Sequence, residues 1–277
     1  MRTRKAAVAG TWYPGIAGAL AREVDACTEA AGVGVEGHVQ ALIAPHAGLM
    51  FSGPVGAWAY KAAVHGAYDV ALIVGPSHHV GFDGFAVWPD GAFDTPLGPV
   101  PVEDRVASIV LKSPLAHDLP EAHDREHAIE MQLPFLRRLF PDVPIVPIVI
   151  GYQVRTTIDA LAHALTEAAA SRRALLVAST DLSHYFDATT AASLDARVQA
   201  HVNRFDPDGL LGLFEQYDES QRGRHVACGG GAAIAVMRAA RNLGAAEGRV
   251  LKYGHSGEIS GDDTAVVGYL AAAFGAF

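Results

Sequence analysis

The run Leu72-Ile73-Val74-Gly75-Pro76-Ser77-His78-His79 carries an apolar strand straight into a pair of histidines, and the rest of the chain reads outward from it. An uninterrupted run such as Val70 to Val74, rich in β-branched residues and leucine, is the pattern of a strand buried on both faces. The same pattern recurs at Val39 to Ala44, Ile145 to Ile150, Leu175 to Ala178 and Val250 to Tyr253. Between these runs the apolar spacing turns helical, at Ala17 to Ala31, Val55 to Val64, Val102 to Leu111, His127 to Phe140, Thr157 to Ser171, Ala191 to Phe205 and Gly230 to Asn242. Alternation of this kind predicts an α/β fold with a mostly parallel sheet and helices on both of its faces. Gly and Pro punctuate the joins without gathering into a linker, so residues 1–277 are expected to form one domain. Gly81 to Pro101 reads as a loop, with a small hairpin around Phe85 to Trp88.

Composition narrows the classes. The chain has 277 residues, half of them hydrophobic and 18% charged, which supplies a large core and argues against disorder. With 21 basic against 30 acidic residues the formal charge is -9, and no Lys or Arg run tracks a phosphate backbone, so nucleic acid is not an expected partner. Trp12, Tyr13 and Pro14 interrupt the start too early for a secretory signal. The most apolar segments, Val143 to Ile150 and Ala265 to Phe277, are shorter than the roughly 20 residues that cross a bilayer. A soluble, cytoplasmic protein is the expectation.

The position of the histidines carries the chemistry. Four strands are expected to run into one, ending at His46, at His78 and His79, at His184 and at His255. In open α/β sheets ligands bind beyond the carboxyl ends of the strands, where residues distant in sequence converge. A single histidine there is as readily a strand cap as a ligand; the repetition of the placement is what points to a pocket. Two cysteines, Cys27 and Cys228, have no CxxC spacing and form neither a disulfide framework nor a zinc knuckle. Cys27 falls in an amphipathic helical pattern and reads as a packed thiol. Cys228 precedes Gly229-Gly230-Gly231 and a helix, where free N–H groups and the helix dipole favour thiolate. Asp181 lies three residues before His184, and Glu126 and Glu130 would share a helix face at i and i+4, with His127 about 100° away. No GxSxG elbow, GxGxxG or P-loop is present, which removes hydrolase-elbow, dinucleotide and P-loop chemistry and any expected nucleotide cofactor.

Taken together, Ala44-Pro45-His46-Ala47-Gly48, Gly75-Pro76-Ser77-His78-His79, Glu126-His127-Ala128-Ile129-Glu130-Met131-Gln132-Leu133-Pro134-Phe135 and Ser179-Thr180-Asp181-Leu182-Ser183-His184 resemble the Memo family, from Gly10-Thr11-Trp12-Tyr13-Pro14 to Tyr253-Gly254-His255-Ser256-Gly257. The resemblance implies a three-layer α/β/α fold like that of class III extradiol dioxygenases. It implies metal ligation by His46, His79 and Cys228, with Asp181 and His184 in the same pocket and His255 in the last pocket motif. It also implies association with a radical-SAM protein. Those dioxygenases resemble one another in holding iron with two histidines and a carboxylate, whereas here the third position is a thiol, which admits copper or zinc as readily as iron; iron or copper is the expected cofactor, the metal's identity stays open, and the activity does not follow from the fold. Three readings stay open: a metal-dependent redox or dioxygenase-like protein with His184 and Asp181 as acid and base, a metal-free Cys228–His nucleophilic enzyme, and an inactive adaptor that keeps the pocket.

Overall fold

The computed structural model describes residues 2–32 and 35–277. Its strands are β1 (Thr3–Arg4), β2 (His38–Ala44), β3 (Val70–Pro76), β4 (Phe85–Val87), β5 (Ala92–Phe93), β6 (Val100–Pro101), β7 (Ala116–His117), β8 (Ile145–Ile150), β9 (Ala174–Ser179), β10 (His184–Phe186), β11 (Glu247–His255) and β12 (Val266–Ala276). Nine of them form one sheet in the order β10-β12-β2-β9-β3-β8-β4-β7, with β11 also paired to β12. The central four, β2, β9, β3 and β8, run parallel. β12 and β4 run antiparallel beside them, so the sheet is mixed.

Alternate residues of the central strands feed two cores. Ile43, Leu72, Val74, Ile148 and Leu176 pack on one face with the helices Asp104–Val110, Arg155–Ala169, Ala188–Asn203, Pro207–Phe214 and Gly230–Asn242. Leu42, Ala71, Ile73, Val149 and Val177 pack on the other with Ala17–Ala30, Leu49–Ala63 and Leu133–Leu139. Strands buried on both faces have no polar side to alternate with, which is why they read as continuous apolar runs. The three-layer α/β/α expectation holds.

Several element boundaries differ from the sequence expectation. The helix expected from Val55 begins at Leu49, with Pro54 inside it. The helix expected over His127 to Phe140 is broken into His127–Glu130 and Leu133–Leu139, and Pro134, near the start of the second piece, disfavours helical backbone in the residue before it. Phe85–Val87 does not form a local hairpin; it joins the main sheet against β8, while Ala92–Phe93 pairs with β1 and β6 in a separate three-stranded sheet. The largest omission is β12, whose Ala- and Gly-rich sequence gives little strand signal but which fills the place between β2 and β11.

The N-terminal segment is tied down by one buried carboxylate. Glu130 accepts from the guanidinium of Arg4, from the backbone N–H groups of Ala7 and Val8 at 2.8 and 3.0 Å, and from the hydroxyl of Tyr13 at 2.6 Å. Both charged side chains of the Arg4–Glu130 pair are essentially sealed from solvent. Removing one partner of such a pair leaves the other buried and uncompensated. Glu130→Ala is therefore expected to lower stability by about 3–5 kcal/mol, measured as a shift of the urea midpoint. A loss under about 1 kcal/mol would mean that the segment is held by its apolar contacts instead.

Candidate metal centre

The parallel register levels the strand ends. Ala44 of β2 pairs with Ser179 of β9, and Val74 of β3 pairs with Ala178, so the segments that follow all emerge at one edge. There the structure gathers His46, His78 and Cys228, each with a donor atom within 4.8 Å of the others. The Cys228 Sγ lies 3.2 Å from His46 Nε2. His79, the expected second histidine, stands outside this trio and its neighbour His78 takes the place. The chain turns after Pro76, where the backbone N–H of His78 donates to Glu126 at 2.6 Å, and that bond directs His78 inward. His79 borders instead a neighbouring hollow with Arg125 and His127.

The ring orientations follow from counting donors. The Ser179 hydroxyl donates its one proton to the carbonyl of Ala128 at 2.7 Å and accepts from the Gln132 amide at 2.7 Å. At 2.9 Å from that same oxygen, His46 Nδ1 must carry the proton, leaving Nε2 toward Cys228. His78 repeats the arrangement, with Nδ1 donating to Glu126 Oε1 at 2.8 Å and the other ring nitrogen facing the thiol. Imidazoles anchored through one nitrogen, with the other turned toward a shared position, are the usual preparation for metal ligation.

Electrostatics agree with a charged cluster. Burial alone would raise the Cys228 pKa, but the charges and hydrogen bonds of His46 and His78 outweigh it and bring it to about 6. Burial likewise opposes the imidazolium of His78, and Cys228 and Glu126 overcome it, raising its pKa to about 10. Glu126, against its burial, is drawn to about 2 by His78 and by the N–H groups of His78 and Ala128. His127 is lowered to about 3, first by burial and then by repulsion from His46 and His78. The source of the thiolate is not the one expected: the first N–H groups of the Gly230–Asn242 helix are already engaged, Gly229 by Thr180 Oγ1 at 2.8 Å and Gly231 by Gln153 Oε1 at 2.7 Å. The sulfur accepts from the backbone N–H of Asp181 at 3.3 Å. Gly229 is required for this packing, since a Cβ there would meet the Ser179 carbonyl at 2.5 Å.

The remaining expected residues are nearby in differing degrees. Asp181 and His184 line a cavity of about 220 Å³ with His46, His78, His127 and Trp12. Asp181 does not orient His184: its Oδ1 accepts from the backbone N–H of His46 at 2.8 Å, and burial raises its pKa. His184 is fixed by Nδ1 donating to the Leu182 carbonyl at 2.8 Å. His255, at the end of β11, pairs with Gly268 on β12 and does not reach the trio. Glu126 and Glu130 do not share a helix face, because Glu126 is the extended N-cap of its short helix and accepts from Ala128 N–H at 2.9 Å. Sequence reasoning missed the roles of Glu126, Gln132 and Ser179, which become visible only when the strand ends meet.

Fold and site together define an α/β/α protein with a His46, His78 and Cys228 cluster at the carboxyl edge of its sheet. Residues 4–273 match the Memo family, described as Memo-like protein. The chain is 37% identical over 282 residues to a MEMO1 family protein of Thermotoga petrophila, an alignment spanning 97% of this chain and 98% of that one. It is 33% identical over 277 residues to one of Methanothermobacter thermautotrophicus, spanning 96% and 98%. The chain belongs to the Memo-like family. In fold it is similar to the uncharacterized protein JW3007 of Escherichia coli K12, at a TM-score of 0.54 and 15% identity, over 84% of this chain and 99% of that one. Among the described residues no helix is long and apolar enough to cross a membrane.

The two thiols offer an internal comparison. Thiolate is the nucleophile, so a lowered pKa extends reactivity toward acid. In metal-free protein Cys228 is expected to alkylate with half-maximal rate near pH 6. Cys27, raised by burial, should react at least about tenfold more slowly at pH 7. Peptide-resolved iodoacetamide labelling measures both rates, and equal rates at pH 7 would contradict the thiolate.

Proposed function

We propose that His46, His78 and Cys228 hold a redox-active transition metal, iron or copper, and that the protein carries out oxidation chemistry on a small molecule beside it. The observation that carries this reading is the shared preparation of the two imidazoles, each with Nδ1 tied to a buried acceptor and the other nitrogen turned to the same sulfur. Three donors at about 2.0–2.3 Å from a tetrahedral ion would lie about 3.3–3.8 Å apart. A trio already within 4.8 Å, with one pair at 3.2 Å, fits such an ion with small side-chain adjustments. One thiolate with two imidazoles is a donor set that suits copper or iron and disfavours calcium or magnesium.

A bound metal of this kind would supply electron transfer and a Lewis-acidic position. The chain's own residues do the rest. His184, with Nδ1 fixed by Leu182, presents its other nitrogen as a proton donor or acceptor in the cavity that Asp181 and His127 share. His127, its pKa lowered first by burial, adds an uncharged imidazole to the same wall. Glu126 keeps His78 in the ligating tautomer and adds negative charge behind it.

A second reading is favoured by the 3.2 Å Cys228–His46 contact: without metal, the same pair is a thiolate nucleophile and its imidazole partner. Metal analysis separates the two. After anaerobic reconstitution with ferrous iron or with copper, about one equivalent should be retained per chain, and Cys228→Ser or His46→Ala should abolish retention. A wild-type protein that holds no stoichiometric metal at micromolar concentration sinks the metal reading and leaves the nucleophile. Glu126→Gln tests the supporting shell: losing such an outer partner is expected to weaken metal binding roughly 10–100-fold without removing a ligand. Unchanged affinity would mean that Glu126 serves only as a helix cap.

A further inference from the structure

The cluster has a second opening. Beside Cys228 and His78 lies a second cavity, of about 280 Å³, whose walls include Gln153, Tyr152, Phe214 and Arg222. Its size suits a small molecule. Arg222 is held in place by its Nε donating to the Tyr217 carbonyl at 3.1 Å and Nη1 donating to the Gln153 carbonyl at 3.2 Å, with its guanidinium 5.2 Å from the centre of the Phe214 ring. These contacts fix the fork but neutralise none of its charge. Among the described residues no carboxylate pairs with Arg222, although Arg4, Arg138, Arg155, Arg173 and Arg238 all have one. Glu219 stands exposed on the cavity rim and makes no ion pair with it.

A guanidinium immobilised by neutral acceptors, with Nη2 left unpartnered, is prepared for an anion that arrives from outside. Its planar fork matches a carboxylate, and the ordering cost of the side chain is already met. The backbone of Arg222 abuts the reaction centre as well: its carbonyl accepts from Val226 and Ala227, the two residues before Cys228, at 2.9 and 3.2 Å. Gln153 completes the link, donating to the Cys228 carbonyl at 2.7 Å.

We infer that this cavity is a substrate subsite in which Arg222 binds the carboxylate of a small organic acid, holding the rest of the molecule against Cys228 and His78. The inference rests on reading the cluster as the reaction centre, but binding at the subsite does not require metal. The probes are benzoate and its neutral counterpart benzamide, titrated calorimetrically into the protein as purified and after metal depletion. Benzoate should bind saturably and at least tenfold more tightly than benzamide. Arg222→Met should weaken benzoate at least tenfold, and Arg222→Lys should recover part of the loss. Because Arg222 also braces the Cys228 loop, a second measurement uses only the wild-type chain: in metal-depleted protein, benzoate should slow iodoacetamide labelling of Cys228, and benzamide should not. Equal binding of the two probes, undiminished benzoate binding to Arg222→Met, or no protection of Cys228 would each overturn the inference. Arg222-dependent benzoate binding in a protein that retains no metal would uphold the subsite while the metal reading fails.

Discussion

The hydroxyl of Ser179 stands where three parts of the chain meet, and the site depends on it. It closes β9, accepts from the Gln132 amide, donates to the Ala128 carbonyl and fixes His46 at the end of β2. Gln132 in turn donates to the Pro45 carbonyl and accepts from the buried Tyr60 hydroxyl. All of this lies beneath the surface, where an unpaired polar atom costs about 1–3 kcal/mol. Each member therefore constrains the others, and His46 has one orientation rather than several. An alanine here would leave Nδ1, the Gln132 amide and the Ala128 carbonyl without this partner.

Charge is distributed around the trio with the same economy. Glu126 and Glu130 are four residues apart and both buried, yet they face different tasks. Glu130 meets Arg4 and the N-terminal backbone, and so decides where Trp12 sits above His127, ring centres 4.3 Å apart. Glu126 meets His78, and so decides where one donor of the cluster points. The break in the helix at Met131–Gln132 separates this pair from the next helix and frees Gln132 for Ser179. A helix that began before Glu126 would have put Glu126 and Glu130 on one face, where they would repel each other and serve neither purpose.

Much of this was legible in the sequence, and the illegible part has physical causes. Buried parallel strands announce themselves as apolar runs, so β2, β3, β8 and β9 were found nearly to the residue, and with them the edge at which His46, His184 and Cys228 gather. β12 escaped because alanine and glycine have weak strand preference; their use there reflects close packing against the Leu49–Ala63 helix. The choice between His78 and His79 is invisible to periodicity, since neighbouring residues after a strand differ only in how the turn is tied, and the tie is Glu126, 48 positions away. Asp181 reads as a partner for His184 on spacing alone, yet the backbone N–H of His46, 135 residues distant, claims it. Long-range hydrogen bonds of this type leave no local mark.

An open α/β sheet binds ligands beyond the carboxyl ends of its strands, and the side chains there say what kind. A cysteine beside two histidines changes two things at once. It softens the donor set, and it makes the cluster dependent on the two imidazoles around the sulfur, because without the interactions of His46 and His78 burial would raise the pKa of the Cys228 thiol. The imidazoles thus have a task whether or not a metal is bound: a metal held there would be shared by them, and without one they favour the charged form of the sulfur. That double requirement explains why His78 forms a wall of both cavities, one toward His184 and one toward Arg222. A group bound on either side would meet the same imidazole, the one that Glu126 holds in place.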